Sequence, residues 1–260
     1  MTRKGLMGIG VLTLLVAGRV GAQAPQGRLW FVHQEMAKPS MLAEYNATTL
    51  EVMKLAAKVK VPTLGKSVVL EGDDLTFTIA MPIADLNGAA AVNDDFATMA
   101  KSDPKYFADL LKRGWAPVES VREFVLMEQP EMSYVPAKPY LDPAAARFYH
   151  YDIYYVMPGH EDEGAAIARD FAALFKAKGV TQAYRIFTVV NGPEMPAIVV
   201  ETPAKDGADY YSTTAAVQAQ LGEAGRALFG RAYAHSRRIE HRNAMLRPDL
   251  SPSLWPAAGH

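Results

Sequence analysis

The chain has 260 residues, half of them hydrophobic and 21% charged, a composition able to bury one or two globular cores. It contains no cysteine, which excludes disulfides, thiolate zinc sites and covalent haem or lipid attachment through sulfur. The formal charge is −1; taking the leader residues Arg3, Lys4 and Arg19 from the 27 basic residues leaves 24 against 28 acidic ones, a balance of −4 that argues against a nucleic-acid groove.

Residues 1–22 have the three parts of a cleavable signal peptide: Arg3 and Lys4, an apolar run from Leu6 to Ala17, then small residues. The run is too short to span a hydrocarbon layer of about 30 Å. Cleavage is expected after Ala22 rather than after Ala24, where Pro25 would follow the scissile bond. The mature protein is therefore expected to be periplasmic or secreted, free of the membrane once the signal is removed, and a monomer or weak homo-oligomer.

In the first half, Leu29 to Ala37 alternates as a strand and Ser40 is placed to cap a helix running to about Lys58. A strand over Ser67–Glu71, a Gly72-Asp73 turn and a strand over Leu75–Met81 follow. A helix over Ala90–Lys101 breaks at Asp103-Pro104 and resumes to Arg113, with Gly114 as its stop; Val121–Glu128 is the last strand. The proline-rich segment 131–143 reads as a linker.

In the second half, Arg147–Met157 is a strand. Ile167, Phe171, Leu174 and Phe175 then form one helical stripe ended by Gly179. Gln182–Val190 and Met195–Thr202 flank an Asn191-Gly192 hairpin signal, two short helices lie near Tyr210–Gln220 and Glu223–Arg231, and Ala234–Arg242 is a strand. Both halves thus read β-α-β-β-α-β. Sliding the chain on itself by 119 residues brings Pro39 onto Pro158, Ile79 onto Ile198 and Asn87-Gly88-Ala89 onto Asp206-Gly207-Ala208. The expected fold class is α+β: two tandem ferredoxin-like units, 27–130 and 144–250, with bare sheet faces pressed together as an intramolecular α/β barrel, and a tail at 251–260.

With the strand openings Val32-His33-Gln34-Glu35 and His150-Tyr151-Asp152-Ile153, this element order resembles the dimeric α/β barrel superfamily, which includes antibiotic-biosynthesis-type monooxygenases, here as a fused pseudo-dimer. The resemblance admits cofactor-independent oxygenases, haem enzymes, isomerases and proteins without a known reaction, and does not choose among them.

Strand alternation places His33 and Glu35 on one face and His150, Asp152 and Tyr154 on the equivalent face of the other half. If the more apolar faces meet the helices, these residues converge inside the barrel, joined by Arg122 or Arg237, as a candidate ligand site able to move protons. The expected role is binding of a small apolar or aromatic molecule between the two sheets, with no cofactor and no metal. One alternative is a monooxygenase-like or haem-dependent enzyme using His33 or His150 as base or axial ligand. The other is a structural or interaction protein whose polar residues merely satisfy one another. His160-Glu161-Asp162-Glu163 reads as an acidic helix start, and the arginines at 237, 238, 242 and 247 as solvated or paired strand residues.

Overall fold

The computed structural model describes residues 27–254, so the expected signal peptide and cleavage after Ala22 lie outside the described residues. Strands β1 (Leu29–Ala37), β2 (Val68–Gly72), β3 (Thr76–Ile83) and β4 (Val118–Glu128) carry helices α1 (Leu42–Lys58), α2 (Gly88–Ser102) and α3 (Pro104–Trp115) between them. Strands β5 (Phe148–Val156), β6 (Arg185–Asn191), β7 (Ala197–Ala204) and β8 (Ser236–Leu246) carry α4 (Glu161–Lys178) and α5 (Gly207–Ala234). Starting positions recur: β5, α4 and α5 begin 119 residues after β1, α1 and α2.

All eight strands form one closed antiparallel barrel in the order β1-β3-β2-β8-β5-β7-β6-β4. Two seams join the halves. At one, Leu70, Glu71 and Gly72 of β2 pair with Leu246, Met245 and Ala244; at the other, β4 pairs with β6 from Val125–Asn191 to Glu128–Phe187. Closure leaves the sheet without an exposed edge.

Several local signals act where the residue chemistry predicts. Asp103, extended before Pro104, accepts a hydrogen bond from the Tyr106 N–H at 3.0 Å and starts α3. Gly179 ends α4 in the left-handed conformation, φ 65°. Gly222, at φ 61° and ψ −137°, breaks α5 into the two segments expected.

Three signals act differently. Ser40 sits inside a 3-10 turn, Pro39–Met41, and caps nothing; α1 starts after Met41 without a side-chain cap. Gly114 does not stop α3, which continues to Trp115. Asn191 forms no tight hairpin turn with Gly192, because it is held in β6 opposite Val125 at the seam, and the connection extends to Pro196 before β7 begins.

The connecting segments are docked. Tyr134 of the 131–143 segment bridges to Tyr184, and Met132 joins the second-half core. After β8 the chain returns to the first half. Leu250 is fully buried in the first-half core, and the Ser251 hydroxyl accepts from the Val69 N–H at 2.9 Å. Among the described residues, no helix is long and apolar enough to cross a membrane.

Candidate functional site

Which strand face meets the helices decides where a site can lie. In β3, Phe77, Ile79, Met81 and Ile83 are buried and alternate with the smaller Thr78, Ala80 and Pro82. The antiparallel register sets Phe77 opposite Glu35, Ile79 opposite His33 and Met81 opposite Phe31. Cross-strand partners share a face, so His33 and Glu35 point out to the helices with the large apolar residues. The same holds in the second half, where His150, Asp152 and Tyr154 pair with Thr202, Val200 and Ile198 on the side covered by α4 and α5.

The expected convergence of these residues inside the barrel is therefore corrected. The barrel interior holds the other set, including Trp30, Val32, Tyr149, Tyr151 and Tyr155, around a cavity of about 350 Å³. Tyrosine bodies line the lumen while polar groups around it pair: Tyr151 donates to Glu201 at 2.9 Å, Arg185 Nε donates to Glu201 at 2.9 Å, and Gln34 donates to Thr78 at 3.0 Å. Arg122 lines this interior, apart from the histidines. Arg237 is exposed, its guanidinium 5.5 Å from the Tyr155 ring.

In the first half the polar residues close on themselves. His33 Nδ1 is 2.8 Å from Glu123 Oε1 and Nε2 is 3.0 Å from Glu35 Oε1, while Tyr45 donates to Glu35 at 2.7 Å. Burial lowers the pKa of His33, but bonds to and charges of Glu35 and Glu123 outweigh it and hold the pKa above the ordinary value. Tyr45, Met53, Phe77, Met81, Met99 and Leu110, all almost inaccessible, fill the space between this sheet and its helices.

The second half differs. Between its sheet and α4 and α5 lies a cavity of about 620 Å³. Ile167, Phe171, Phe175, Ile198, Val200 and Leu221 make its apolar walls, and exposed Tyr211 and Tyr233 mark where the lining reaches solvent. The α4 stripe read from the sequence thus forms one wall.

A polar cluster stands on the sheet side. His150 Nε2 is 3.1 Å from Asp152 Oδ1, His241 Nδ1 is 2.6 Å from the same oxygen, and His150 Nδ1 is 2.8 Å from Asn243 Oδ1. Tyr210 stacks on the His150 ring with centroids 4.3 Å apart. Burial lowers the His150 pKa, but bonds to Asp152 and Asn243 together with the Asp152 charge bring it above the ordinary value. For Asp152 burial raises the pKa, yet the two histidines hold it below the usual carboxylate range. Tyr154 and Tyr210 are pushed up by burial and by the Asp152 charge and stay protonated hydrogen-bond donors.

Of this cluster the sequence pattern named His150, Asp152 and Tyr154 as candidates and left out His241, Asn243 and Tyr210. His241 and Asn243 could have been found by aligning β8 against β5, since they are the cross-strand partners of Asp152 and His150. Tyr210 comes from the start of α5 and carries no signal in the strand pattern.

Haem, one of the groups the fold resemblance admits, would meet histidines in the lining but no partner for its acid groups. A haem brings two carboxylates; among the described lining residues there is no lysine or arginine to meet them, and Asp152 adds a repelling charge.

No protein-family model matches the chain, and no curated protein matches it. Solved structures do. An anthrone oxidase-like protein superposes with a TM-score of 0.59 at 12% identity, over 85% of this chain and 92% of that one. Chlorite dismutase from Candidatus Nitrospira defluvii, in complex with imidazole, superposes with a TM-score of 0.52 at 10% identity, over 88% and 95%. The likeness is one of fold: a closed eight-strand antiparallel barrel with helices around it, present here in one polypeptide.

Proposed function

We propose that this single-chain dimeric α/β barrel is an exported protein that binds a small apolar, partly aromatic molecule carrying one polar group. The site is the cavity between the second-half sheet and α4 and α5, not the barrel interior. One observation carries this reading: equivalent space in the first half is filled by side chains, whereas in the second half about 620 Å³ remains beside a single polar cluster. A pocket with apolar walls and a few convergent polar groups is the usual form of a small-molecule site. The ligand's hydroxyl or carbonyl would face His150, Asp152 and the Tyr154 and Tyr210 hydroxyls, its rings the phenylalanines of α4.

Export rests on the basic, apolar and small-residue order of residues 1–22, with cleavage after Ala22. Origin of the barrel from two tandem ferredoxin-like units, 27–130 and 144–250, is supported by the shared strand order and by the recurrence of element starts at 119 residues.

A catalytic second reading is favoured by the buried imidazole–carboxylate pair on the cavity wall, the arrangement that suits removal of a proton from a phenol or enolisable carbonyl. Such a reaction would resemble that of the cofactor-independent oxygenases, with dioxygen as oxidant.

Native mass spectrometry of protein purified from its own host tests the binding reading. A retained small molecule is expected, and His150→Ala should reduce its occupancy while far-ultraviolet circular dichroism is unchanged. No retained species, together with failure of a panel of aromatic alcohols and ketones to raise Tm, would leave the structural or interaction role instead.

A further inference from the structure

The polar cluster contains more donor atoms than a proton relay needs. Asp152 and His241 are direct cross-strand partners on β5 and β8, and His150 lies two residues along β5 on the same face. The three side chains offer ligand atoms all within 4.8 Å of one another, and two nitrogens from separate strands approach the same carboxylate oxygen, at 2.6 and 3.1 Å.

The hydrogen-bond donors around Asn243 point to one tautomer of His150. The Asn243 amide nitrogen donates to Asp73 Oδ2 at 2.9 Å, so the amide oxygen is the atom turned to His150 Nδ1, 2.8 Å away. An amide oxygen only accepts, so Nδ1 carries the hydrogen. The second nitrogen, Nε2, lies 3.1 Å from a carboxylate oxygen and can give its lone pair to an ion once its proton is displaced. A proton bridges the two atoms in the imidazolium form, and a metal ion held by the same pair would take that proton's place. An imidazole whose outer N–H is held by a second residue, leaving its other nitrogen free beside a carboxylate, is the form in which histidine binds metals.

We propose that His150, Asp152 and His241 bind one divalent first-row transition-metal ion, with Asn243 and Asp73 as positioning residues behind His150. Two imidazoles and one carboxylate select zinc, iron, cobalt or manganese over calcium and magnesium, which prefer oxygen ligands throughout. Three protein ligands leave coordination positions open. All three line the 620 Å³ cavity, so those positions face it, and an oxygen of a bound molecule could occupy one. This last step rests on the reading of the cavity as the ligand site; the metal site itself does not. His241, with 65% of its side chain exposed, gives the ion a way in from solvent.

The neighbouring His160–His235 pair supplies an internal control. Its nitrogens are 2.8 Å apart, but the adjacent carboxylate, Glu163, is taken by Arg231 at 2.8 Å.

The test is titration of chelator-stripped protein with cobalt(II) or zinc(II) alone, followed by calorimetry and, for cobalt, by visible absorption. One equivalent is expected to bind with ligand-field bands from nitrogen coordination. His241→Ala, which removes an exposed residue and should keep the fold, and Asp152→Asn should each abolish the bands. Asn243→Leu should weaken affinity by about 10- to 100-fold. His160→Ala should change nothing. Absence of saturable binding, or binding that survives both ligand variants, overturns the proposal. Retention of the organic molecule is measured separately on stripped protein: a retained molecule without metal binding sinks the metal site alone, and metal binding without a retained molecule sinks the cavity reading alone.

Discussion

Leucine in place of alanine at two buried helical positions should have opposite effects in the two halves. Ala168, on α4, is 6% exposed and borders the cavity; Ala56, on α1, is fully buried in the packed first-half core. Ala168→Leu sends three more carbon atoms into open space, a gain of up to about 2.4 kcal/mol at ~0.8 kcal/mol per buried methylene. Ala56→Leu forces the same atoms among Tyr45, Met53 and their neighbours, where overpacking costs about 1–3 kcal/mol. The gap between the variants is therefore roughly 3–5 kcal/mol, and at about 2–4 °C per kcal/mol for a domain of this size it is readily resolved by thermal or urea denaturation. Ala168→Leu should also lower the occupancy of the retained molecule, because leucine takes its place. Equal destabilisation by the two substitutions would refute the reasoning, since it would mean that the space beside α4 is as full as that beside α1.

Stability should fall as pH rises above neutrality through the His33 network. The folded pKa of His33 is raised above 6.5, so its contribution is fully present below that value and is lost as pH climbs through the folded pKa; His33→Gln should flatten urea midpoints between pH 6 and pH 9. Arg185→Met should destabilise by about 3 kcal/mol, because it leaves Glu201, 6% exposed, as an uncompensated charge within the barrel, and Arg185→Met with Glu201→Met should recover most of the loss in a double-mutant cycle. Removing the α3 cap with Asp103→Ala should cost about 1 kcal/mol by chemical denaturation. Haemin mixed with the purified protein should give no protein-bound Soret band, because the described lining offers its carboxylates no cation and sets Asp152 against them.

The order of elements was legible because hydrophobic period and punctuation residues report on local geometry, and Asp103-Pro104, Gly179 and Gly222 each act within a turn or two of chain. The direction of the strand faces was not legible from β1 and β5 taken singly, because each carries a mixed polar and aromatic set on both sides. β3 held the missing information: its Phe77, Ile79, Met81 and Ile83 demand cover, and pairing with β1 carries His33 and Glu35 to the same side. Asn191-Gly192 misled for the opposite reason. A strong local turn preference yielded to a pairing 66 residues away in sequence, Asn191 with Val125, which closes the barrel. The site residues on β5 were visible as chemistry, but their partners on β8 and α5 depend on register and helix placement, which become defined only when the sheet closes.

The return of residues 248–254 to the first half makes the order of synthesis matter. Leu250 completes the first-half core and Ser251 satisfies a backbone group of β2, so the half made first is finished by residues that follow the second half. A fragment ending after β4 would hold a hole at its centre and unpaired edges on β2 and β4, both open to self-association. Most contacts that matter join distant positions, which slows folding and keeps the chain extended for longer. Were the chain exported unfolded, as proposed above, delayed collapse would keep it threadable until the segment after β8 had emerged.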